Sequence, residues 1–337
     1  MNHQPCPKHV ARQRGLTLVE LLVAVALMLM VTAGTVALYS VNAGSNKTVD
    51  ASQSLDDTAR FVFELVGQAI RNAGYPGAVP EDADEGTLRR TVVNPFDACS
   101  AKPKIKPCPI LGFDNSKVAG TTGAVGGNNS GGVNASDSLA VRFNGASDSV
   151  KQRDQGRGNE SITTCGGNAV ALTTDESQLG MSIFWLKEYN GEPELYCTEE
   201  YYQADSPKGW KKSSNPVARG VEVFQVVYGL DCAGSCSSDG IPDRWVRATD
   251  IKDVDWVYVR AVRIGLVLRG SPGSSQGSRE VEDATEHDLY PLGKGFSAGQ
   301  SASDFKFTPS KTDGRLRRVY TSTFMLRNVV DKPPPTP

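Results

Sequence analysis

The longest uncharged stretch of this sequence sets the strongest limit on its fold. From Leu21 to Asn46 there is no charged side chain, and leucine, valine, alanine and methionine dominate the first part of the run. A helix needs roughly 20 apolar residues to cross a hydrocarbon core about 30 Å thick. Lys8, Arg12 and Arg14 precede the run, with no acidic residue among them. This bias predicts a single membrane span with a cytoplasmic N-terminus and the rest of the chain outside.

Glu20 places a carboxylate at the start of this apolar run. A charge inside a span costs about 2.5–3.5 kcal/mol at the centre of the bilayer and less near its edge, so such a group normally has a partner. One explanation is an edge position at which the side chain reaches headgroup water. The other rests on the residues around it. After the basic tail, residues 15–20 read GLTLVE, and this pattern resembles the class III signal of type IV pilins and type II secretion pseudopilins.

That resemblance implies a processing site and an assembly site. In this family a prepilin peptidase cuts after the glycine and methylates the new amino terminus, so we expect a leader of residues 1–15, cleavage between Gly15 and Leu16, and N-methylation of Leu16. Glu20 would then pair with the amine of Leu16, in its own chain or in a neighbouring subunit. The family usually has phenylalanine where Leu16 stands. An ordinary secretory signal is the competing explanation, but its apolar core is only about 7–15 residues long and it leaves Glu20 unexplained.

The cysteines predict disulfides in the exported part of the chain. Cys6 would leave with the leader, and six cysteines remain, an even number that fits an oxidising compartment. Six cysteines allow 15 pairings. Neighbours along the sequence suggest Cys99 with Cys108, Cys165 with Cys197, and Cys232 with Cys236. No zinc site is expected, because the chain has no C-x-x-C motif and a single histidine, His287, after the leader.

An amphipathic helix is predicted for residues 47–74. Its apolar positions are spaced 4, 3, 4, 3 and 4 residues apart: Leu55, Ala59, Val62, Val66, Ala69 and Ala73. Gly74 and Pro76 supply a stop signal. One continuous helix from Thr17 to Ala73 would be about 85 Å long. Its first half, residues 16–46, would lie in lipid or in a filament core.

Residues 75–337 read as a β-rich head. Strands are predicted at Leu139–Phe143, Ala169–Leu172, Met181–Leu186, Val221–Leu230, Val257–Leu268 and Val319–Leu326, which are β-branched or aromatic runs bounded by turn residues. The Gly- and Asn-rich stretch from Ala119 to Ser138 predicts a mobile loop. A long helix followed by antiparallel strands gives the fold class α+β.

No motif in the head predicts catalysis. Asp231, Asp239 and Asp243 offer oxygens to calcium, but they lack EF-hand spacing, and a turn rich in Asp, Gly and Ser is the alternative. There is no phosphate-binding loop, no nucleophile elbow and no histidine placed beside a nucleophile. We therefore expect no enzyme and no cofactor. The net charge of −2 gives no reason to expect a nucleic-acid partner.

Several blocks of the sequence resemble, in order, the PilW family of type IV minor pilins. They are AIRNAGYPG at 69–77, GVEVFQVVYGLD at 220–231, DGIPDRW at 239–245, VRAVRIGLVLRG at 259–270 and GRLRRVYTSTFMLRN at 314–328. The resemblance runs from Arg14 to Asn328 and is weakest between residues 78 and 138. It implies a pilin-like fold, with the long N-terminal helix packed on an antiparallel sheet. It also implies a role in initiating pilus assembly, with other minor pilins, the major pilin, a tip adhesin-like protein and the prepilin peptidase as partners.

These expectations place the chain in the inner membrane as a single-pass protein, with its head in the periplasm, and then in the pilus. Two alternatives remain open. The J-type pseudopilin of type II secretion shares the signal and the sheet architecture. A single-span anchored periplasmic binding protein would instead use Asp231–Asp243 or the glycine-rich loop to hold a ligand.

Overall fold

The N-terminal helix, α1, runs unbroken from Leu18 to Asn72 in the computed structural model. The structure describes residues 15, 17–96, 108–117, 131–204, 209–231, 239–275, 288–297, 305–309 and 314–329. The prediction of one continuous helix from Thr17 to Ala73 is confirmed to within one residue at each end. A bend at Gly34 would cost little energy, but the helix continues through this residue without interruption.

The two ends of α1 are capped by specific side chains. Thr17 is the N-cap residue, and its side chain accepts a hydrogen bond from the backbone N–H of Glu20. At the other end the chain leaves the helix at Ala73, and Gly74 takes a left-handed conformation with φ of 71°. The Asn328 side-chain amide donates to the carbonyl oxygens of Arg71 and Ala73 at 3.1 and 3.2 Å. Backbone carbonyl groups at the C-terminal end of α1 are therefore satisfied by a side chain from the C-terminal part of the protein.

The head contains two antiparallel sheets rather than the one that was expected. The five-stranded sheet has the order β1 (Ile110–Phe113), β2 (Ser138–Phe143), β3 (Gly180–Tyr189), β4 (Glu192–Tyr202) and β5 (Trp210–Arg219). The four-stranded sheet has the order β7 (Arg244–Val246), β6 (Val221–Leu230), β8 (Val259–Arg269) and β9 (Arg317–Met325). Short helix α2 (Glu85–Thr91) lies between α1 and β1, α3 (Val150–Asp154) between β2 and β3, and α4 (Lys294–Ser297) between β8 and β9. The α+β fold class and its pilin-like arrangement are confirmed.

The strand predictions are correct where apolar runs are long. Val221–Leu230 coincides with β6, and β2, β3, β8 and β9 each overlap a predicted run. The predicted strand Ala169–Leu172 is wrong. Only an isolated bridge joins Ala169 to Thr163, and Val170 donates its N–H to Ile162 and accepts from Ala146 through its carbonyl. These residues are largely buried, but surrounding loop segments satisfy their backbone, so no ladder forms.

One stripe of α1 forms part of the hydrophobic core. The predicted stripe is buried from Leu55 to Ala73, together with Ile70, and α1 packs against β2, β5, β8 and β9. On β8 the side chains of Val262, Ile264, Leu266 and Leu268 are fully buried. Burying each such side chain contributes about 1.5–3 kcal/mol. The second half of α1 is therefore an integral part of the head.

Helix α1 approaches β9 closely at Gly67. A Cβ atom at this position would overlap the ring of Phe324 on β9. That ring also packs against Phe63, with ring centroids 6.2 Å apart, so it has little room to move away. Glycine is therefore required here by the packing of the helix on β9.

We expect Gly67→Leu to lower the stability of the head, although leucine is a better helix former than glycine. Forcing extra methylenes into a packed site costs about 1–3 kcal/mol. Thermal unfolding of the full chain in detergent measures the effect. Gly34→Leu is the matched control, because nothing lies within 4 Å of a Cβ at Gly34, and its unfolding temperature should not fall. Equal stability of the two variants would contradict the close packing.

Candidate functional site

The first half of α1 is apolar and uncovered. Its side chains are exposed from Leu18, at 75%, to Val41, at 70%. The helix is long and apolar enough to cross a bilayer, and its most apolar window has no buried residue. Such a surface is not stable in water. It requires either lipid or the apolar helices of other subunits.

Glu20 lies in the first turn of α1 and is held by Thr17. One oxygen of its carboxylate accepts hydrogen bonds from the backbone N–H and the hydroxyl of Thr17, both at 2.9 Å. The Thr17 hydroxyl in turn accepts from the Glu20 N–H at 3.3 Å. This is a capping box, and a negative charge is favourable at a helix N-terminus. The carboxylate thus has partners within its own chain, and the T-x-x-E spacing of Thr17 and Glu20 is the sequence signal that could have indicated them.

The predicted processing site immediately precedes this box. Gly15 is exposed, and a Cβ atom added to it would have no neighbour within 4 Å, whereas Leu16 lies outside the described residues. The capping box begins one residue after Leu16. Cleavage between Gly15 and Leu16 and the pairing of Glu20 with the Leu16 amine remain predictions.

A polar contact between β9 and α1 fixes the head to the helix. On β9 the hydroxyl of Tyr320 donates to Asp56 Oδ1 at 2.6 Å, and Arg318 lies 3.2 Å from the same oxygen. The Tyr320 hydrogen bond, with Arg318 beside it, holds the pKa of Asp56 below its ordinary value. Burial and the Asp56 carboxylate raise the pKa of Tyr320 to about 12. Sequence reasoning missed this contact, because the partners are 264 residues apart.

The three aspartates considered for calcium do not form a cluster. Asp231 is fully buried, and its Oδ2 lies 3.3 Å from Arg260 Nε and accepts from the Gly240 N–H at 2.9 Å. Asp239 accepts a hydrogen bond from the backbone of Ile241, and Asp243 is exposed. Among the residues that the structure describes, no three His, Cys, Asp or Glu side chains are placed to hold a metal. Asp231 instead orders the start of the 239–243 segment that leads into β7.

One predicted disulfide is present among the described residues. Cys165 and Cys197 are joined, with Cα atoms 6.1 Å apart, and both are buried in the core. Cys108 is also disulfide-bonded, to a partner outside the described residues. Cys99, Cys232 and Cys236 lie outside the described residues too, so their predicted pairings remain predictions.

Comparison with known families agrees with this architecture. Residues 10–36 match the model of the prokaryotic N-terminal methylation motif, which includes Gly15, Leu16 and Glu20. Together with the long apolar helix and the antiparallel sheets, this match defines a type IV pilin-like, membrane-anchored protein. Residues 183–328 match the family described as type IV pilus-assembly protein W. The two matches are consistent with a PilW-family type IV pilin, and neither includes residues 37–182.

The PilW match runs from within β3 to just past β9. It therefore includes the strand that holds α1 and the Asp231–Trp245 segment. The two matches support a type IV pilus-related minor pilin. The PilW family is a pilus-associated structural family and not a known enzyme family. No curated protein and no solved structure matches the chain.

We expect the Asp56 contact to be lost at low pH. Because the pKa of Asp56 is lowered in the folded chain, its contribution to stability is complete above the ordinary value of 3.8 and disappears as the pH falls below it. The unfolding temperature of the full chain in detergent should therefore fall more steeply below about pH 4 than that of Asp56→Asn. Tyr320→Phe should behave nearly like Asp56→Asn. If the wild-type chain, Asp56→Asn and Tyr320→Phe all showed the same dependence of unfolding temperature on pH, the Asp56–Tyr320 contact would be contradicted.

Proposed function

We propose that this chain is a minor pilin that helps to initiate type IV pilus assembly, by entering the filament or its tip complex. The observation that carries the proposal is the division of α1 into two halves. One stripe of the half from Leu55 to Ala73 is buried in the head, whereas the half from Leu18 to Val41 is uncovered. A subunit with this shape can leave lipid only if other apolar helices cover it.

The proposal assigns a role to each part of the chain. Residues 1–15 are a leader that the prepilin peptidase removes, and residues 16–46 span the inner membrane before they enter the filament core. Residues 47–74 join the span to residues 75–337, the periplasmic head. Other minor pilins, the major pilin and a tip adhesin-like protein are the proposed partners. No cofactor and no catalytic step are assigned.

The driving forces for incorporation follow from the uncovered helix. Lipid tails are as apolar as leucine, so there is no hydrophobic drive for one helix to leave lipid for another. Close packing and polar pairing must therefore select the position of the entering subunit. Glu20 is the only charged side chain between residues 15 and 46, which makes it the group that can specify this position.

The capping box satisfies the Glu20 carboxylate before its amine partner is present. In the membrane the carboxylate accepts two hydrogen bonds from Thr17 through one oxygen, Oε2. The methylated amine of Leu16 that cleavage creates, in the same or a neighbouring subunit, then adds a charge-assisted bond worth about 1.5–3 kcal/mol. Thr17 keeps the carboxylate near the helix start in both situations.

The PilW match favours a pilus role over the J-type pseudopilin alternative, because residues 183–328 match a pilus-assembly family. The anchored binding protein has less support. The carboxylate of Asp231 is engaged by Arg260 and by the backbone N–H groups of Asp239 and Gly240.

We expect Glu20→Ala to leave the precursor inserted and cleaved but to reduce its amount in pili. The reason is that the amines of entering subunits lose their carboxylate partner. Immunoblots of sheared pili and of membranes from the same cells measure how the protein is divided between the two fractions. Thr17→Val, which removes the hydroxyl that positions Glu20, should give a smaller reduction.

Asp50→Ala is the matched control for this experiment. Asp50 is an exposed carboxylate on the same helix, outside the apolar run, and its removal should not change the partition. If Glu20→Ala entered pili as well as Asp50→Ala, Glu20 would have no role in assembly.

A further inference from the structure

Strand β9 is the edge strand of the four-stranded sheet next to α1. It pairs with β8 without a register shift, and in the part of the chain that the structure describes no strand pairs with its other side. Just before β9, the Gly270 N–H donates to the carbonyl of Leu316 at 2.8 Å, and just after it the Leu326 N–H donates to the carbonyl of Arg260 at 2.8 Å. Residues 316 and 326 therefore both bond toward β8.

These two bonds determine which backbone groups of β9 face the free edge. In an antiparallel ladder, residues that bond to the neighbouring strand alternate with residues whose N–H and C=O point away from it. Because the even-numbered residues from 316 to 326 bond to β8, the odd-numbered ones face outward: Arg317, Val319, Thr321, Thr323 and Met325. Among the described residues, no other segment bonds to the backbone of the last four. The edge is thus an open row of donors and acceptors.

The other sheet edges lack such a row or carry obstacles to strand pairing. Strands β1 and β7 are only four and three residues long. Strand β5 has 10 residues, but it contains Lys211, Lys212 and Pro216, and its ladder with β4 is irregular at Leu195 and Tyr196. Short strands, lysine, proline and bulges all prevent edge-to-edge pairing. The nine residues of β9 include no proline, lysine or bulge, so an added strand meets none of these obstacles.

The outer part of β9 is also accessible. Thr321, Thr323 and Met325 are exposed, Met325 at 49%. Helix α1 instead contacts the opposite face of the strand, through Tyr320 and Phe324. The helix therefore does not cover the side chains that flank the open backbone groups.

The charges beside this edge favour an acidic partner. Arg318 on β9 and Arg60 on α1 are exposed, and both lie near the single carboxylate of Asp56. Arg327, just after β9, is exposed as well. Three exposed cations thus lie near one carboxylate, which the Tyr320 hydroxyl already engages. Complementary charge on a partner determines specificity and orientation.

A second copy of this chain does not fit the edge as a symmetric partner. Asp56 lies beside Arg318, and Gly67 lies beside Phe324, so α1 and β9 run in the same direction. A twofold axis that paired β9 antiparallel with its own copy would also make the two α1 helices antiparallel. The two apolar halves would then point in opposite directions, and one bilayer could not hold both. The partner strand therefore comes from another protein.

We propose that β9 accepts an extended, acidic segment of another exported protein as an additional strand of the four-stranded sheet. Hydrogen bonds to the outward-facing backbone of the odd-numbered residues supply affinity, as in other cases of strand addition. Arg318 and Arg327 select acidic side chains on the added strand. The proposal depends on the proposed function only through the membrane anchoring, which excludes the symmetric second copy.

Site-specific photo-cross-linking in living cells tests the proposal. A benzophenone amino acid is placed in the full chain at position 321, 323 or 325, and mass spectrometry identifies the cross-linked peptides. All three positions should cross-link to one acidic segment of one partner protein. The cross-linked partner residue should shift by two for each two-residue step along β9, because paired strands keep a fixed register. Cross-links scattered over several segments, cross-links to β9 of a second copy, or no cross-links would overturn the proposal.

Thr321→Pro tests the backbone pairing, with the benzophenone at position 323. Proline removes the outward N–H of residue 321, whereas the ladder with β8 does not use this group, and proline is tolerated at such edge positions. We expect the cross-links to be lost. Thr321→Val is the matched control: it also loses the hydroxyl that donates to the Pro291 carbonyl at 2.8 Å, but it keeps the N–H and should keep the cross-links. Equal cross-linking in the two variants would overturn the pairing.

Two further variants test the charge of the partner, and one further position tests pilus entry. Arg327→Glu should reduce the cross-links and Arg327→Lys should keep them; equal yields would overturn the acidic partner. A benzophenone at Val31, which is 66% exposed on α1, should label apolar helices of other pilus subunits. Labelling from Val31 without ordered cross-links from β9 would overturn the strand addition alone. Ordered cross-links from β9 without labelling from Val31 would overturn incorporation into the pilus alone.

Discussion

The packing of the second half of α1 on β9 determines the rest of the structure. Three contacts hold α1 to β9 and to the residues that follow it: Asp56 with Tyr320, Gly67 with the Phe324 ring, and the end of the helix with Asn328. Because these contacts fix one half of a continuous helix against the head, the other half must project from the head. The uncovered apolar segment is thus a direct consequence of how the head folds. The need for lipid or for neighbouring helices follows from it.

Glu20 is the polar counterpart of this apolar segment. Within one chain, the capping box with Thr17 makes a carboxylate tolerable at the edge of a membrane span. The same position makes the carboxylate available to a positive group that arrives at the helix start. Stability before assembly and specificity during assembly therefore depend on the same few residues, 15 to 20, which also lie within the N-terminal methylation motif.

The sequence predicts the parts of the fold in which periodicity is strong. The α1 stripe from Leu55 to Ala73 repeats over about five helical turns, and β6 is a largely apolar run of 10 residues, so both were found with nearly correct ends. Strands β4 and β5 were missed, because EPELYCTEEYY and WKKSSNPVAR are rich in charged and polar residues. They form strands because neighbouring strands provide a ladder, which is information that no single segment contains.

The same limit applies to the candidate site. Gly15, Leu16 and Glu20 follow from a local motif, whereas the Asp56–Tyr320 contact joins distant parts of the chain and has no local signal. Asp231 illustrates the converse. Its surroundings in sequence favour a calcium loop or a turn, but its main partner in space is Arg260 on β8.

The most direct test of the account is the mass of the N-terminal peptide of the chain isolated from cell membranes. If α1 begins as a pilin helix, the peptide starts at Leu16 and carries the mass of one added methyl group. A mature protein that still begins at Met1, with an unmodified leader, would contradict the assignment of Gly15, Leu16 and Glu20 as a processing and assembly site.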